Sequence, residues 1–338
     1  MSHLVLLTAL LFGADEAAAP EVTVDAVHAA ADKGITYMIG ESRKWVEQKK
    51  CASCHHVPFT IWTLNEAKYR GHAIDEAALT EMIEYTLAAD DRAKLTQKPP
   101  PAKEGDTSRN HVAYYVSVGS VLSLLALADR NDLSEAHEKR RGEFFAQLIE
   151  KQADGGGKWE FFKNRPPLAG ITTDLTLLTL LTLSRSEGSK TSPPVTEMLN
   201  KALPQADGLI ADEDSQQYHN FRLLLDVQLG DKPDEIQKRL DLILSRQEEV
   251  GGWSQTTEMD SDAYATGQTL YTLAIAGVPS EHPAIQKAWA YLLKTQKTEG
   301  FWPMTSRPHE PGGVSANNLD PITSAGSGWA VLGLLRSS

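Results

Sequence analysis

The chain has only two cysteines in 338 residues, Cys51 and Cys54. That scarcity excludes a disulfide framework and a four-thiolate zinc site. No stretch reaches the roughly 18 to 20 consecutive apolar residues of a membrane-spanning helix, so no integral membrane span is expected. Basic residues are the minority: 33 Lys and Arg face 45 Asp and Glu, a net charge of −12. Nucleic acid and anionic membrane surfaces are poor partners for such a chain. Period-two alternation is missing as well, so no convincing strand is expected.

What is present begins with the two cysteines, which share one motif, Cys51-Ala52-Ser53-Cys54-His55. The C-x-x-C-H spacing reads as the attachment point of one covalent c-type haem. Both thiols would add to the haem vinyl groups, and His55 would supply one axial nitrogen. A thioredoxin-like dithiol would sit beside a βαβ pattern, and none is visible. A zinc site would need a second ligand pair. A plain disulfide leaves the adjacent histidine unexplained. Residues 4–12 are apolar and are followed by small and acidic residues through Ala19. Residues 1–19 therefore read as a signal for export, and 20–338 as the folded domain. Haem c is attached outside the bacterial cytoplasm, so the expected location is periplasmic or otherwise exported.

Internal repetition organises the rest. Gln152-Ala-Asp-Gly-Gly-Gly-Lys-Trp159, Gln247-Glu-Glu-Val-Gly-Gly-Trp253 and Gln296-Lys-Thr-Glu-Gly-Phe-Trp302 are three versions of one turn. Each follows a helical stretch and precedes a more apolar one, at 175–183, 263–276 and 322–335. Two further units pair 75–95 with 111–128 and 194–206 with 215–229, without the Gln-Trp turn. The first unit pairs 24–48 with 59–70, and Cys54 falls in the slot that Trp253 and Trp302 fill elsewhere. Six hairpins with a period of about 50 residues result. The second helix of each is the more apolar and should be buried, with the more polar first helix outside it. The fold expected is all-α, a single (α/α)6 toroid of six helical hairpins; an open solenoid of the same hairpins is the alternative.

The Gln…Gly-Trp turns, followed by Ser261-Asp-Ala-Tyr-Ala-Thr-Gly-Gln-Thr-Leu-Tyr-Thr-Leu273, resemble the prenyltransferase/squalene-cyclase repeat superfamily. The resemblance covers residues 24–336, and haem-motif-bearing members resemble the chain most. It implies an α/α toroid with a central apolar cavity. It also draws attention to Met259-Asp260-Ser261-Asp262-Ala263. Squalene-hopene-type cyclases carry an Asp-x-Asp-Asp acid motif whose middle aspartate protonates an alkene. Asp260 and Asp262 match its first two aspartates, while Ala263 replaces the last.

The toroid would gather its inner-helix starts at one rim. Asp174, Asp214, Asp262 and Asp320 lie at such starts, and Asp174, Asp262 and Asp320 also read as helix caps. His111 is expected to begin the second inner helix and is the first candidate for a sixth haem ligand. Met304 and His309 in the last unit come next, then Met259 and His219. His56 is too close to His55 in sequence to reach the far face. If the ring closes, the first turn neighbours units two and six. Phe59, Trp62, Tyr114, Tyr115, Phe161, Tyr218 and Tyr264 are expected to line a cavity or belong to the core. The Gln-Trp turns read as structural. Three functions follow: a haem protein in electron transfer or oxidoreduction, with a redox partner protein; a cyclase or isomerase using Asp262 on a small apolar substrate; or a module binding an apolar ligand or a partner.

Overall fold

The computed structural model describes residues 22–49, 55–87, 115–116, 118–150, 159–161, 172–185, 193–208, 214–307 and 319–338. Among them are twelve helices and two short two-stranded ladders. Six helices form an outer layer: α1 (Val24–Lys49), α3 (Glu76–Leu87), α5 (Glu135–Glu150), α7 (Pro193–Gly208), α9 (Pro233–Ser245) and α11 (Pro283–Thr295). Six alternate with them inside: α2 (His56–Tyr69), α4 (Val118–Ala126), α6 (Thr172–Arg185), α8 (Gln216–Leu229), α10 (Ala263–Ile275) and α12 (Asp320–Ser337).

The layers follow from composition. In α9 only Leu240 and Ile243 are buried, while α10 is buried at every residue from Ala263 to Leu273. A helix can be buried all round only if other helices surround it. Each inner helix packs on the next, α2 on α4, α4 on α6, α6 on α8, α8 on α10 and α10 on α12. Finally α12 packs back on α2 and α1, so the ring is closed and the open solenoid is ruled out. Contact between α10 and α12 is backbone to backbone. A Cβ on Gly267 would stand 2.4 Å from the main chain at Trp329, so only glycine fits there.

One set of bonds repeats around the ring. The indole N–H groups of Trp159, Trp253 and Trp302 donate to Leu148 O, Ile243 O and Leu292 O, at 2.7, 2.8 and 2.8 Å. Those carbonyls lie in the last turns of outer helices, where backbone acceptors lack intrahelical partners. The backbone N–H of each tryptophan donates onward to Thr176, Thr266 or Ser327 of the following inner helix. Gln247 donates to Gly251 O and to Ala284 O of the next outer helix. Gln296 repeats this with Gly300 O and with Ala30 O of α1, which fastens the last unit to the first. In these turns Gly251 and Gly300 have φ of 94° and 99°, and a Cβ would strike Lys287 O or Lys33 O. Gln152 lies outside the described residues.

Three expectations need correction. The second inner helix begins at Val118, not at residue 111, because Tyr115–Val116 runs as a strand beside Glu160–Phe161. The first inner helix begins at His56, three residues earlier than expected; Pro58 is accommodated in its first turn. The ring axis is not an apolar cavity. Trp329 of α12 meets Phe59 and Trp62 of α2, Phe221 of α8, and Tyr264 and Tyr271 of α10, with centroids 5.2–6.4 Å apart. Phe59, Trp62 and Tyr264 are therefore core. Tyr218 is buried too, and Tyr114 lies outside the described residues. No helix among the described residues is long and apolar enough to cross a membrane.

Candidate functional site

Two groups of polar side chains sit at the end of the ring where the inner helices begin. The first surrounds the start of α2. His55 directly precedes that helix and is 6% exposed. Its Nε2–H donates to Pro321 O of α12 at 2.9 Å. The first turn thus touches unit six, as ring closure requires. Burial pushes the His55 imidazole down to about 4, and the bond to Pro321 offsets only part of that. The ring is neutral at physiological pH, with its tautomer set by a backbone carbonyl. That is how proteins commonly prepare a histidine for a metal.

His56 is fully buried and stacks on Trp45, centroids 4.0 Å apart, with His55 4.2 Å away. Neither ring nitrogen of His56 has a hydrogen-bond partner among the described residues. Burial, and then the neighbouring His55, push its pKa far down. Cys51, Cys54, His111 and His309 lie outside the described residues. Met304 is buried against Gly326 of α12, where its sulfur would stand 2.5 Å from an added Cβ. His219 is on α8, 3.9 Å from Asp214, well around the ring from α2. Met259 is half-buried. Among the described residues no cluster of three His, Cys, Asp or Glu side chains could hold a metal ion.

The second group joins units three to six. Asp262 is the N-cap of α10: it accepts the Ala265 N–H at 2.8 Å, and its other oxygen accepts from Gln255 Nε2 at 2.6 Å. Burial raises its carboxyl to about 6, more than the bonds from Ala265, Gln255 and the Tyr264 backbone lower it. Asp260, two residues earlier, is exposed, so the pair is not brought together. Asp174, in the first turn of α6, accepts from Ser215 at 3.1 Å and Gln217 at 3.0 Å. Burial raises this carboxyl as well, while Arg307, 3.7 Å away, pulls it down. Tyr264 donates to Gln217 Oε1 at 2.7 Å. Asp214 is engaged by Arg246, and Asp320 opens the first turn of α12.

Gln217, Gln255 and Arg307 were not singled out by sequence. A signal existed for Gln217, since Gln216-Gln217 opens an otherwise apolar inner helix. None existed for Arg307, which lies in a connecting loop.

Residues 195–338 match the squalene-hopene cyclase C-terminal domain family. A squalene–hopene cyclase of Zymomonas mobilis is 33% identical over 98 residues, 28% of this chain. A cycloartenol synthase of Dictyostelium discoideum is 31% identical over 98 residues, 27% of this chain. The matched segment spans only 14% and 13% of those two proteins. Among solved structures, a glycosyl hydrolase family 88 protein from Bacteroides vulgatus is similar, with TM-score 0.60 and 11% identity over 93% of this chain and 98% of that one. A type II terpene cyclase from Scytonema, in complex with geranylgeranyl dihydroxybenzoate, is similar with TM-score 0.54 and 11% identity, over 93% and 98% of the two chains. At such identities the structural matches show the fold alone. Together the comparisons support an α/α toroid, with residues 195–338 similar to the squalene-hopene cyclase C-terminal domain family.

Proposed function

We propose that this chain is an exported c-type haem protein built on a squalene-cyclase-like toroid. Cys51 and Cys54 would hold one haem covalently, and His55 would supply one axial nitrogen. The observation that carries the reading is His55 itself. It follows the two cysteines directly, is buried and neutral, and is held by the Pro321 carbonyl. The two His56 ring nitrogens without partners among the described residues fit a polar group bound beside them. When bound, the haem supplies one-electron chemistry, which suits electron transfer or haem-based oxidoreduction. The chain's own residues bind and orient: Pro321 fixes the His55 ring, and the Trp45–His56 stack keeps water from that side. His111 is the proposed second ligand, and a redox partner protein the proposed partner. Haem attachment outside the bacterial cytoplasm is the reason for the exported location.

The test is the intact mass of the full chain, produced in a host that attaches haem c. The reading expects the mass of one added haem in the wild type and none in a Cys51→Ser, Cys54→Ser double variant. A wild-type mass equal to the bare polypeptide would contradict it.

A second reading is a terpene-cyclase-like enzyme with Asp262 as the acid on a small apolar substrate. The family match over residues 195–338 and the raised Asp262 carboxyl favour it. The aromatic-filled axis and the two bonds on the Asp262 oxygens weigh against it. Turnover of a polyprene that is lost in Asp262→Asn would support it; full turnover in that variant would remove it.

A further inference from the structure

Residues 303–307 follow the last Gln-Trp turn and cross the mouth of the ring. Trp302 anchors them in unit six: its indole N–H donates to Leu292 O and its backbone N–H to Ser327 Oγ. Met304 is buried beside that anchor, against Gly326 of α12. The chain then passes over unit five, where Thr305 O accepts from Gln255 Nε2 at 3.2 Å. It reaches unit three with Arg307, whose Nη2 stands 3.7 Å from Asp174 Oδ2 of α6. Connecting loops ordinarily run over the surface, yet Ser306 and Arg307 are buried.

The two ends of this segment are held differently. The anchor has two hydrogen bonds, of 2.8 and 3.1 Å, and a fully buried indole. The far end has one bond of 3.2 Å and a charge pair wider than a hydrogen bond. Beneath it, Asp174 Oδ1, Gln255 Oε1, Gln268 Nε2 and Arg307 Nη2 have no hydrogen-bond partner among the described residues. The space between Gln255, Gln268 and Arg307 is too tight for a water molecule, so water does not satisfy them. Each such atom destabilises the closed arrangement, and lifting the segment hydrates it. Opposing this is chiefly the attraction between Arg307 and Asp174, strengthened because both are out of water. A segment balanced in this way opens locally, without unfolding the ring.

Gln255 links this balance to a second buried carboxyl. The Nε2 group that bonds Thr305 O also donates to Asp262 Oδ2 at 2.6 Å. We propose that residues 305–307 are a strap across the mouth of the ring, latched by Arg307 on Asp174, and that lifting it admits water to Asp174 and Asp262. The strap is closed in this structure. Its opening would make the mouth accessible while Trp302 and Met304 keep unit six in place. The device does not depend on the haem.

Carbodiimide labelling of carboxyls with glycine ethyl ester, mapped by peptide mass spectrometry on the full-length protein, tests it. In the wild type, Asp262 should label at least tenfold more slowly than the exposed Asp260. Arg307→Gln leaves Asp174 without its charge partner, and Asp174→Asn leaves Arg307 without its own, so each favours hydration of the mouth. Each should speed labelling of Asp262 at least tenfold and leave Asp260 unchanged. Arg307→Lys, which keeps the charge, should fall between. Hydrogen exchange is the second measurement: the amides of 305–307 should exchange at least tenfold faster than those of α10 and α12 in the wild type, and faster still in both latch variants. Asp262 labelling unchanged in both variants would overturn the proposal. So would exchange of 305–307 at the rate of α10, since the segment would then open only with the ring. Faster labelling accompanied by lost protection across α6, α10 and α12 would make the pair a tie of the ring itself and overturn it too.

Discussion

The fifth unit and the first solve one structural problem in different ways. In the fifth, the turn between outer and inner helix is tied by Trp253. Its indole N–H reaches back to Ile243 O, and its backbone N–H reaches forward to Thr266. In the first, no tryptophan occupies that slot. The helix start is held instead by His55 bonded to Pro321 and by His56 stacked on Trp45. Trp253 leaves neither its indole nor its backbone N–H unsatisfied, whereas His56 leaves two buried nitrogens without partners among the described residues. A fully satisfied tie serves the fold. A tie with polar atoms to spare, next to the only two cysteines of the chain, is the place proposed for the haem.

Breaking the regular tie should have the largest effect. Trp253→Ala removes a fully buried indole and should cost about 3–5 kcal/mol in chemical denaturation. Trp253→Phe keeps most of the ring but removes the indole bond to Ile243 O, which still accepts the Arg246 N–H, and should cost less than the alanine variant. Equal losses in the two would mean that the hydrogen bond, not the packed ring, dominates.

The fifth unit also carries an ionisable group, which sharpens the comparison. Asp262 has its carboxyl raised from 3.8 in the unfolded chain to about 6 in the fold. Between those values the folded state binds more protons, so this group's contribution to stability is present below about pH 4 and lost as pH rises through about 6. Asn caps a helix as well as Asp does, so the Ala265 N–H keeps its acceptor. Asp262→Asn should therefore be more stable than wild type at pH 7, by up to about 3 kcal/mol, with the gain vanishing near pH 4. Denaturation midpoints that run parallel across this range would show that the carboxyl is not buried as described.

Smaller again is the seam. Gln296 bonds Ala30 O and so joins the last unit to the first. Gln296→Leu should cost about 1–2 kcal/mol and raise amide exchange in α1 before any other helix. The smallest stability change belongs to the first turn. In the haem-free chain, Cys51→Ser with Cys54→Ser should shift the melting point by less than any of the variants above, because the ring is tied elsewhere.

Much of this was legible in the sequence. Six apolar helices alternating with amphipathic ones, and three Gln-Trp turns, led to the ring and to the structural role of Trp159, Trp253 and Trp302. Neighbour relations followed from closure, and the His55–Pro321 bond agrees with them. The start of α4 was misplaced by seven residues, since pairing with a strand some 45 residues later leaves no local mark. Periodicity showed that the inner helices are buried but not what fills their centre; Trp329 meeting rings from three other helices is a tertiary fact. Arg307 and Gln255 were illegible for the same reason, because their significance comes from partners in other units. For Asp262 the cap was legible, from its place before an apolar run, while the rise in its carboxyl depends on burial by the whole ring.

The contrast between the two turns comes to one observation: the visible absorption spectrum of the purified full-length protein after denaturation. The account predicts a Soret band that stays with the polypeptide in denaturant, since haem bound through Cys51 and Cys54 cannot be released by unfolding. A haem band that separates from the chain on denaturation, or no haem band from a host that attaches haem c, would contradict it.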